Sequence, residues 1–155
     1  DVGRGTRFTV FWPIADSLET TAFESRRESL IMGTESILLV DDETDILNSL
    51  ESMFIKQGYR VHCLSDGASA LETFRQDPDR FDIVITDMTM PKMTGDELSV
   101  EILNIRPDIP VILCSGYNEK LTEDLALQIG TKKYVQKPVT AQELSAMIRE
   151  IRDSA

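Results

Sequence analysis

Five residues could share one chemistry. Asp41 and Asp42 stand side by side after the apolar run Ile37-Leu38-Leu39-Val40, and Asp87 closes the run that starts at Ile83. Ser115 follows Val111-Ile112-Leu113-Cys114, and Lys137, itself followed by Pro138, comes after the stretch Lys133 to Gln136. A helix cap would explain Asp42 or Ser115 taken singly. It does not explain their joint placement with Asp87 and Lys137. Three carboxylates held within a few ångströms repel one another, which raises the cost of ionising all of them. A hard divalent cation relieves that repulsion, and Mg²⁺ suits two carboxylates, a carbonyl and waters. One carboxylate is then free to act on an electrophile. Phosphorus is the natural choice, because Mg²⁺, Lys137 and Ser115 would neutralise the oxygens of a phosphoryl group while it transfers. Lys137, a mobile point charge, can pair with a carboxylate before the transfer and with a phosphoryl oxygen after it. The chemistry this set predicts is aspartyl-phosphate formation.

Bringing residues so far apart in sequence to one place requires a particular scaffold. Ile37-Val40, Ile83-Ile85 and Val111-Cys114 are nearly continuous apolar runs, as strands buried on both faces are. Tyr59 to Leu64 and Lys133 to Gln136 are weaker strand candidates, nearer the sheet edges. Helical stripes separate them: Ile46, Leu50, Met53 and Phe54; Leu71 and Phe74; Leu98, Ile102 and Ile105; Leu121, Leu125 and Ile129; Leu144, Ile148 and Ile151. Thr94-x-x-Glu97 and Thr140-x-x-Glu143 are capping boxes opening the third and fifth helices. Gly58 and Gly130 stand where helix ends favour a residue tolerant of positive φ. Five strand–helix repeats predict an α/β fold, a doubly wound parallel sheet with right-handed crossovers and helices on both faces. Such sheets bind ligands beyond the carboxyl ends of their strands, where the five residues fall.

Composition narrows the function classes. The 155 residues carry 16 Lys+Arg against 27 Asp+Glu, a formal net charge of -11. That balance disfavours nucleic-acid binding, which draws on a basic footprint. No apolar run approaches the length of a membrane span. Two cysteines, Cys63 and Cys114, make no disulfide framework and suggest a reducing compartment and buried free thiols. The lone histidine, His62, excludes a His-rich metal site, removes the usual base of a serine or cysteine hydrolase, and reads as structural or exposed. Asp77, Asp79 and Asp82 around Pro78 read as a turn and a strand start.

The segments Ile37-Leu38-Leu39-Val40-Asp41-Asp42-Glu43, Asp87-Met88-Thr89-Met90-Pro91-Lys92-Met93-Thr94-Gly95, Ser115-Gly116-Tyr117 and Tyr134-Val135-Gln136-Lys137-Pro138 resemble a two-component response-regulator receiver domain. The match spans about residues 36–153 in the right order. The resemblance implies a flavodoxin-like strand order 2-1-3-4-5. It makes Asp87 the phosphorylation site and Asp41 and Asp42 the acidic pair for Mg²⁺, with Asp42 a direct ligand and Asp41 acting largely through water. The carbonyl of Thr89 would complete the protein ligands. It gives Lys137 and Ser115 to the phosphoryl group, makes Ser115 and Tyr134 the switch pair, and makes the Lys137-Pro138 bond cis. Thr89 and Tyr117 would tune the kinetics, the bulky Tyr117 by hindering an attacking water. The receiver would catalyse its own phosphorylation and dephosphorylation, and phosphorylation would remodel the face of the fourth helix, fifth strand and fifth helix, which Leu121, Leu125 and Tyr134 sample. Partners would be a histidine-containing donor or phosphotransfer domain, the dimerisation domain of the same kinase among the candidates. Self-association would use that face or the N-terminal strand.

Residues 1–35 read differently. Val2-Gly3-Arg4-Gly5-Thr6-Arg7-Phe8-Thr9-Val10-Phe11-Trp12-Pro13 resembles the end of a histidine-kinase ATP-binding domain. The expected organisation is a remnant of that domain at 1–15, which does not fold independently, a linker at 16–35 and a receiver at 36–155. Gly3, Gly5 and Thr6 would bind no ATP without the rest of that domain. With Asp1 in place of a starting Met, the sequence reads as part of a longer, cytoplasmic hybrid sensor histidine kinase whose membrane anchor, where it has one, lies elsewhere. An unpaired apolar strand at Phe8, Val10 and Trp12 is expected either to be disordered or to meet a neighbouring molecule.

Three rivals are weighed against this reading. Haloacid-dehalogenase-like phosphatases combine an aspartyl nucleophile, Mg²⁺, Ser/Thr and Lys, but put the nucleophile after the first strand in D-x-D order. Here Asp41 and Asp42 adjoin and the isolated Asp follows the third run. A non-catalytic interaction module, such as an autoinhibitory cap, sits poorly with an intact set of acids, Ser115 and Lys137. Flavin binding lacks a hydroxyl- and glycine-rich loop after Val40.

Overall fold

A computed structural model of the chain describes residue 9, residues 32–116, residue 126 and residues 128–154. The elements run β1 (Ser36–Val40), α1 (Thr44–Lys56), β2 (Arg60–Leu64), α2 (Gly67–Gln76), a 3₁₀ turn (Pro78–Arg80), β3 (Ile83–Asp87), α3 (Gly95–Ile105), β4 (Val111–Ser115), β5 (Lys133–Gln136) and a C-terminal helix (Ala141–Asp153). Ala126, Gln128 and Ile129 are also helical. Every strand pair is parallel, in the order β2-β1-β3-β4-β5, as expected.

The period of two along each strand builds two cores. Ile37, Leu39, Ile83, Ile85, Ile112 and Cys114 face Leu47 and Phe54 of α1 and Leu144 and Ile148 of the C-terminal helix. Leu38, Val40, Val84 and Val111 face Ala70, Leu71 and Phe74 of α2 and Leu98 and Ile102 of α3. With a helix layer on each side, β1, β3 and β4 need apolar residues at nearly every position. The edge strand β2 is only half-buried from Val61 to Leu64.

Both capping boxes form, Thr94 with Glu97 and Thr140 with Glu143. Gly58 and Gly130 take positive φ, and the Lys137-Pro138 bond is cis. Two helical stripes differ from expectation. On α1 the buried apolar residues are Leu47 and Phe54, while Met53 is exposed; on α3, Ile105 is exposed. The pattern locates a helix, but its rotation is settled only by which residues the sheet has room for. The turn expected around Pro78 is a 3₁₀ turn at Pro78–Arg80, and β3 starts at Ile83, directly after Asp82. Cys63 and Cys114 are free, on strands separated by β1 and β3. The His62 ring lies tilted at 41° to Phe81, its centroid 6.0 Å away, with Arg80 3.3 Å from its Nδ1. Leu121, Leu125, Tyr117 and, apart from the exposed Thr9, residues 1–31 lie outside the described residues. Met32–Glu35, at the end of the expected linker, lie against the receiver.

Candidate functional site

The inner strands β1, β3 and β4 and the edge strand β5 finish at one end of the sheet, and each delivers a polar residue there. Asp41 follows β1, Asp87 and Ser115 are the last residues of β3 and β4, and Lys137 follows β5. Asp41 and Asp87 are almost wholly buried, their side chains 5% and 7% exposed, and between them sits Lys137. Its Nζ lies 2.8 Å from Asp41 Oδ2 and 2.5 Å from Asp87 Oδ1. The second oxygen of each carboxylate accepts a backbone N–H, from Glu43 on Asp41 Oδ1 and from Thr89 on Asp87 Oδ2, both at 2.9 Å. One ammonium and two amides thus hold two buried carboxylates.

The electrostatics follow from that count. Burial pushes the Asp87 carboxyl above its usual range. The hydrogen bond and charge of Lys137 pull it back, the neighbouring Asp41 charge pushes it up again, and the Thr89 amide pulls it down. The net direction is up. For Lys137, burial disfavours the ammonium, but its hydrogen bonds and charge pairing with Asp41 and Asp87 outweigh that, and its pKa is raised. The lysine is a firmly held cation.

The backbone of Asp87 is braced as well. Thr86 Oγ1 donates to the Asp87 carbonyl at 3.1 Å, and the first residue of α3, Gly95, lies so close that a Cβ there would overlap that carbonyl oxygen. Gly95 N–H donates to Met88 O, and Ser99 Oγ donates to Gly95 O at 2.6 Å. The helix start is pinned under the strand end.

The other expected residues divide. Ser115 is fully buried beside the cluster; its Oγ lies 3.4 Å from Gly116 O, and its carbonyl accepts the Lys137 N–H. Thr89 is exposed and contributes its amide to Asp87. Tyr134 is half-buried in β5, against Leu113 and Ala126. Asp42 is exposed and is not one of the two acids paired with Lys137. Asp41 is the acid that faces Asp87. Tyr117 is outside the described residues.

Among the described residues, no three His, Cys, Asp or Glu side chains converge as a ready-made metal cluster. Mg²⁺ needs less, since it is commonly held by one or two carboxylates and keeps several waters. Two buried oxygen-donor carboxylates sharing one counter-charge fit that donor chemistry.

Sequence reasoning missed the wall of the site. A cleft of about 570 Å³ runs from Asp41, Asp87 and Lys137 past Cys114 to Ile46, Leu50 and Val139. Cys114 is the register partner of Asp87 across β3 and β4. The signal was its place one residue before Ser115. Nothing in the sequence marked Ile46 and Leu50 as cleft rather than core. The roles of Gly95 and Thr86 likewise appear only in three dimensions.

Comparison with known proteins agrees with this fold. A family profile described as "Response regulator receiver domain" matches residues 37–149. The chain is 30% identical over 159 residues to the sensor kinase CckA of Brucella abortus, covering 97% of this chain and 17% of that protein. It is 33% identical over 116 residues to the sensory transduction protein RegX3 of Mycolicibacterium smegmatis, covering 75% of this chain and 50% of that one. The chain therefore spans at most about half the length of these curated relatives. A crystal structure of a receiver domain protein from Clostridium thermocellum superposes with a TM-score of 0.73 at 35% identity, over 77% of this chain and 95% of that one. Buried acids bridged by a lysine at the carboxyl edge of a 2-1-3-4-5 sheet, and these matches along most of its length, lead to one statement: the chain belongs to the response-regulator receiver domain family.

Proposed function

We propose that Asp87 is the phosphoacceptor of this receiver, taking a phosphoryl group from a phosphohistidine donor. The observation that carries the reading is the buried Asp87 carboxylate, 2.5 Å from Lys137 and braced on its backbone side by Thr86 and Gly95. In the transfer an Asp87 oxygen attacks phosphorus, the P–N bond to the donor imidazole breaks, and its electron pair stays on the imidazole nitrogen. Lys137 then passes from the carboxylate oxygen to a phosphoryl oxygen, and Ser115 donates to another. Asp41 and Asp42, with Asp87 and the carbonyl of Thr89, would hold Mg²⁺. When bound, that ion neutralises charge on the phosphoryl oxygens during transfer. Ser115 and Tyr134 form the switch pair that remodels the face of β5 and the C-terminal helix, while Thr89 and Tyr117 set the lifetime of the acyl phosphate.

The parent chain, in this proposal, is a cytoplasmic hybrid sensor histidine kinase. Support comes from the alignment with a sensor kinase, which runs over 97% of this chain, well beyond residues 37–149. The donor is a histidine-containing domain, the kinase's own dimerisation domain or a separate phosphotransfer domain. No helix among the described residues is long and apolar enough to cross a membrane.

The test is labelling by acetyl phosphate with Mg²⁺, followed by intact mass. The wild type gains one phosphoryl group, and Asp87→Asn or chelation of Mg²⁺ abolishes the gain. An unlabelled wild type, or equal labelling of Asp87→Asn, overturns the assignment.

A further inference from the structure

The chain enters β1 through a segment that is fastened, not free. Gly33 N–H donates to Gln57 O at 2.8 Å, at the end of α1, and Gly33 lies so close under the Tyr59 ring that a Cβ there would overlap it. Arg149 of the C-terminal helix donates to Met32 O. Glu35 is 5% exposed; its Oε1 lies 3.5 Å from Arg149 and 3.7 Å from Arg152, and its carbonyl accepts the Arg60 N–H. Between these contacts lies a buried polar junction. Ser145 Oγ is 2.8 Å from Gln57 Oε1 and 2.7 Å from Ala141 O. A hydroxyl has one proton, so Ser145 donates to one of these at a time.

The same helix begins four residues after Lys137, at Ala141, and the Thr140 side chain caps it. Arg149 lies eight residues beyond Ala141, about 12 Å along a rigid helix. One helix therefore touches the phosphoacceptor cluster through the segment that starts it and grips Met32–Glu35 near its other end.

We propose that the surface built by Gln57, Tyr59, Arg149 and Arg152, on which Met32–Glu35 are seated, couples the phosphoacceptor site to that segment. The coupling rests on the reading of Asp87 as phosphoacceptor. When Lys137 leaves the Asp87 carboxylate for a phosphoryl oxygen, the helix that follows it shifts, and the grip of Arg149 and Arg152 on Glu35 and Met32 changes with it. The partner is a short, turn-free stretch of this same chain, offering one carboxylate and two backbone groups.

Coupling between two sites is reciprocal, which makes it testable from either end. From one end, amide hydrogen exchange at Gly33 and Arg60 is followed in the full 155-residue chain with and without Mg²⁺ and acetyl phosphate, phosphorylation being scored by intact mass. The expected result is a change of about five-fold or more at Gly33, the usual lower end of such couplings. From the other, Glu35→Gln and Arg149→Ala shift the apparent Kd for beryllium fluoride with Mg²⁺ by that same factor. If the wild type is phosphorylated while Gly33 exchange stays unchanged, the coupling is wrong and the phosphoacceptor reading stands. If both variants lower the melting temperature but leave that Kd unchanged, the segment is a structural strap and the inference falls. If mass shows no phosphoryl gain, both readings fail together.

Discussion

Lys137 and Asp87, fifty residues apart in sequence, meet at 2.5 Å, and the same ammonium reaches Asp41 at 2.8 Å. The lysine stands where two buried negative charges would otherwise face each other. Its removal is therefore more than the loss of one contact.

Lys137→Met should destabilise the chain by about 3–5 kcal/mol at neutral pH, since it leaves buried carboxylates uncompensated. Part of that loss should return under acid conditions, where one carboxyl takes up a proton. Urea denaturation at neutral and acid pH checks both statements. A variant equally destabilised at every pH would show that the lost packing of the lysine stem, not its charge, sets the cost.

Asp87 should weaken the folded state as it ionises. Burial raises its pKa in the native chain despite the pull of Lys137, whereas the unfolded chain keeps an ordinary value of about 3.9. The folded state then binds this proton more tightly than the unfolded one, so stability falls with rising pH over that interval. The contribution is complete below the unfolded value and is lost as pH climbs through the raised native value. Asp87→Asn removes the titration. Its stability relative to wild type should climb across that interval and then level off. A difference that stays flat or declines with pH would contradict the raised native value.

Gly95→Ala should cost about 1–3 kcal/mol, the usual range for overpacking, because its Cβ would press on the Asp87 carbonyl oxygen and on Leu113 Cδ1. Labelling by acetyl phosphate should slow as well, because the strand end that aims Asp87 must move. Ser99→Ala, which removes only the hydrogen bond to Gly95 O, should give a milder version of both effects. Thermal melts and labelling rates read together decide this, and undiminished labelling in Gly95→Ala would disprove the positioning role.

The thiols should be slow to react. Burial pushes Cys114 up to about 12, and burial with the nearby Glu51 pushes Cys63 up to about 11, so both stay protonated at ordinary pH. An aromatic disulfide reagent should label the half-buried Cys63 first and Cys114 only on unfolding. Ready labelling of Cys114 in the native chain would mean that the cleft beside Asp87 opens far wider than this structure has it.

Much of this was legible in the chain itself. Runs such as Ile37-Val40 and Val111-Cys114 are apolar at every position because both faces of an inner strand are buried, and that demand is local enough to read directly. The capping boxes at Thr94 and Thr140 and the glycines at 58 and 130 are equally local, since each answers the backbone needs of one helix end. The strand-end polar residues were visible because a parallel sheet puts all its carboxyl ends on one edge.

Other features were decided only by the tertiary structure. Sequence order could not say that Asp41, rather than Asp42, turns inward to Lys137. That choice depends on how β1 pairs with β3 and where β5 ends, which are long-range registers. Nor could it say that Leu47 and not Met53 fills the core under α1, that Gly95 must lack a side chain because Asp87's carbonyl is already there, or that Met32–Glu35 are gripped by a helix more than a hundred residues downstream. Residue types and their local periods determine which elements form and which groups reach the edge. Which groups then touch depends on side-chain direction and close packing between distant segments, and those exist only once the chain has folded.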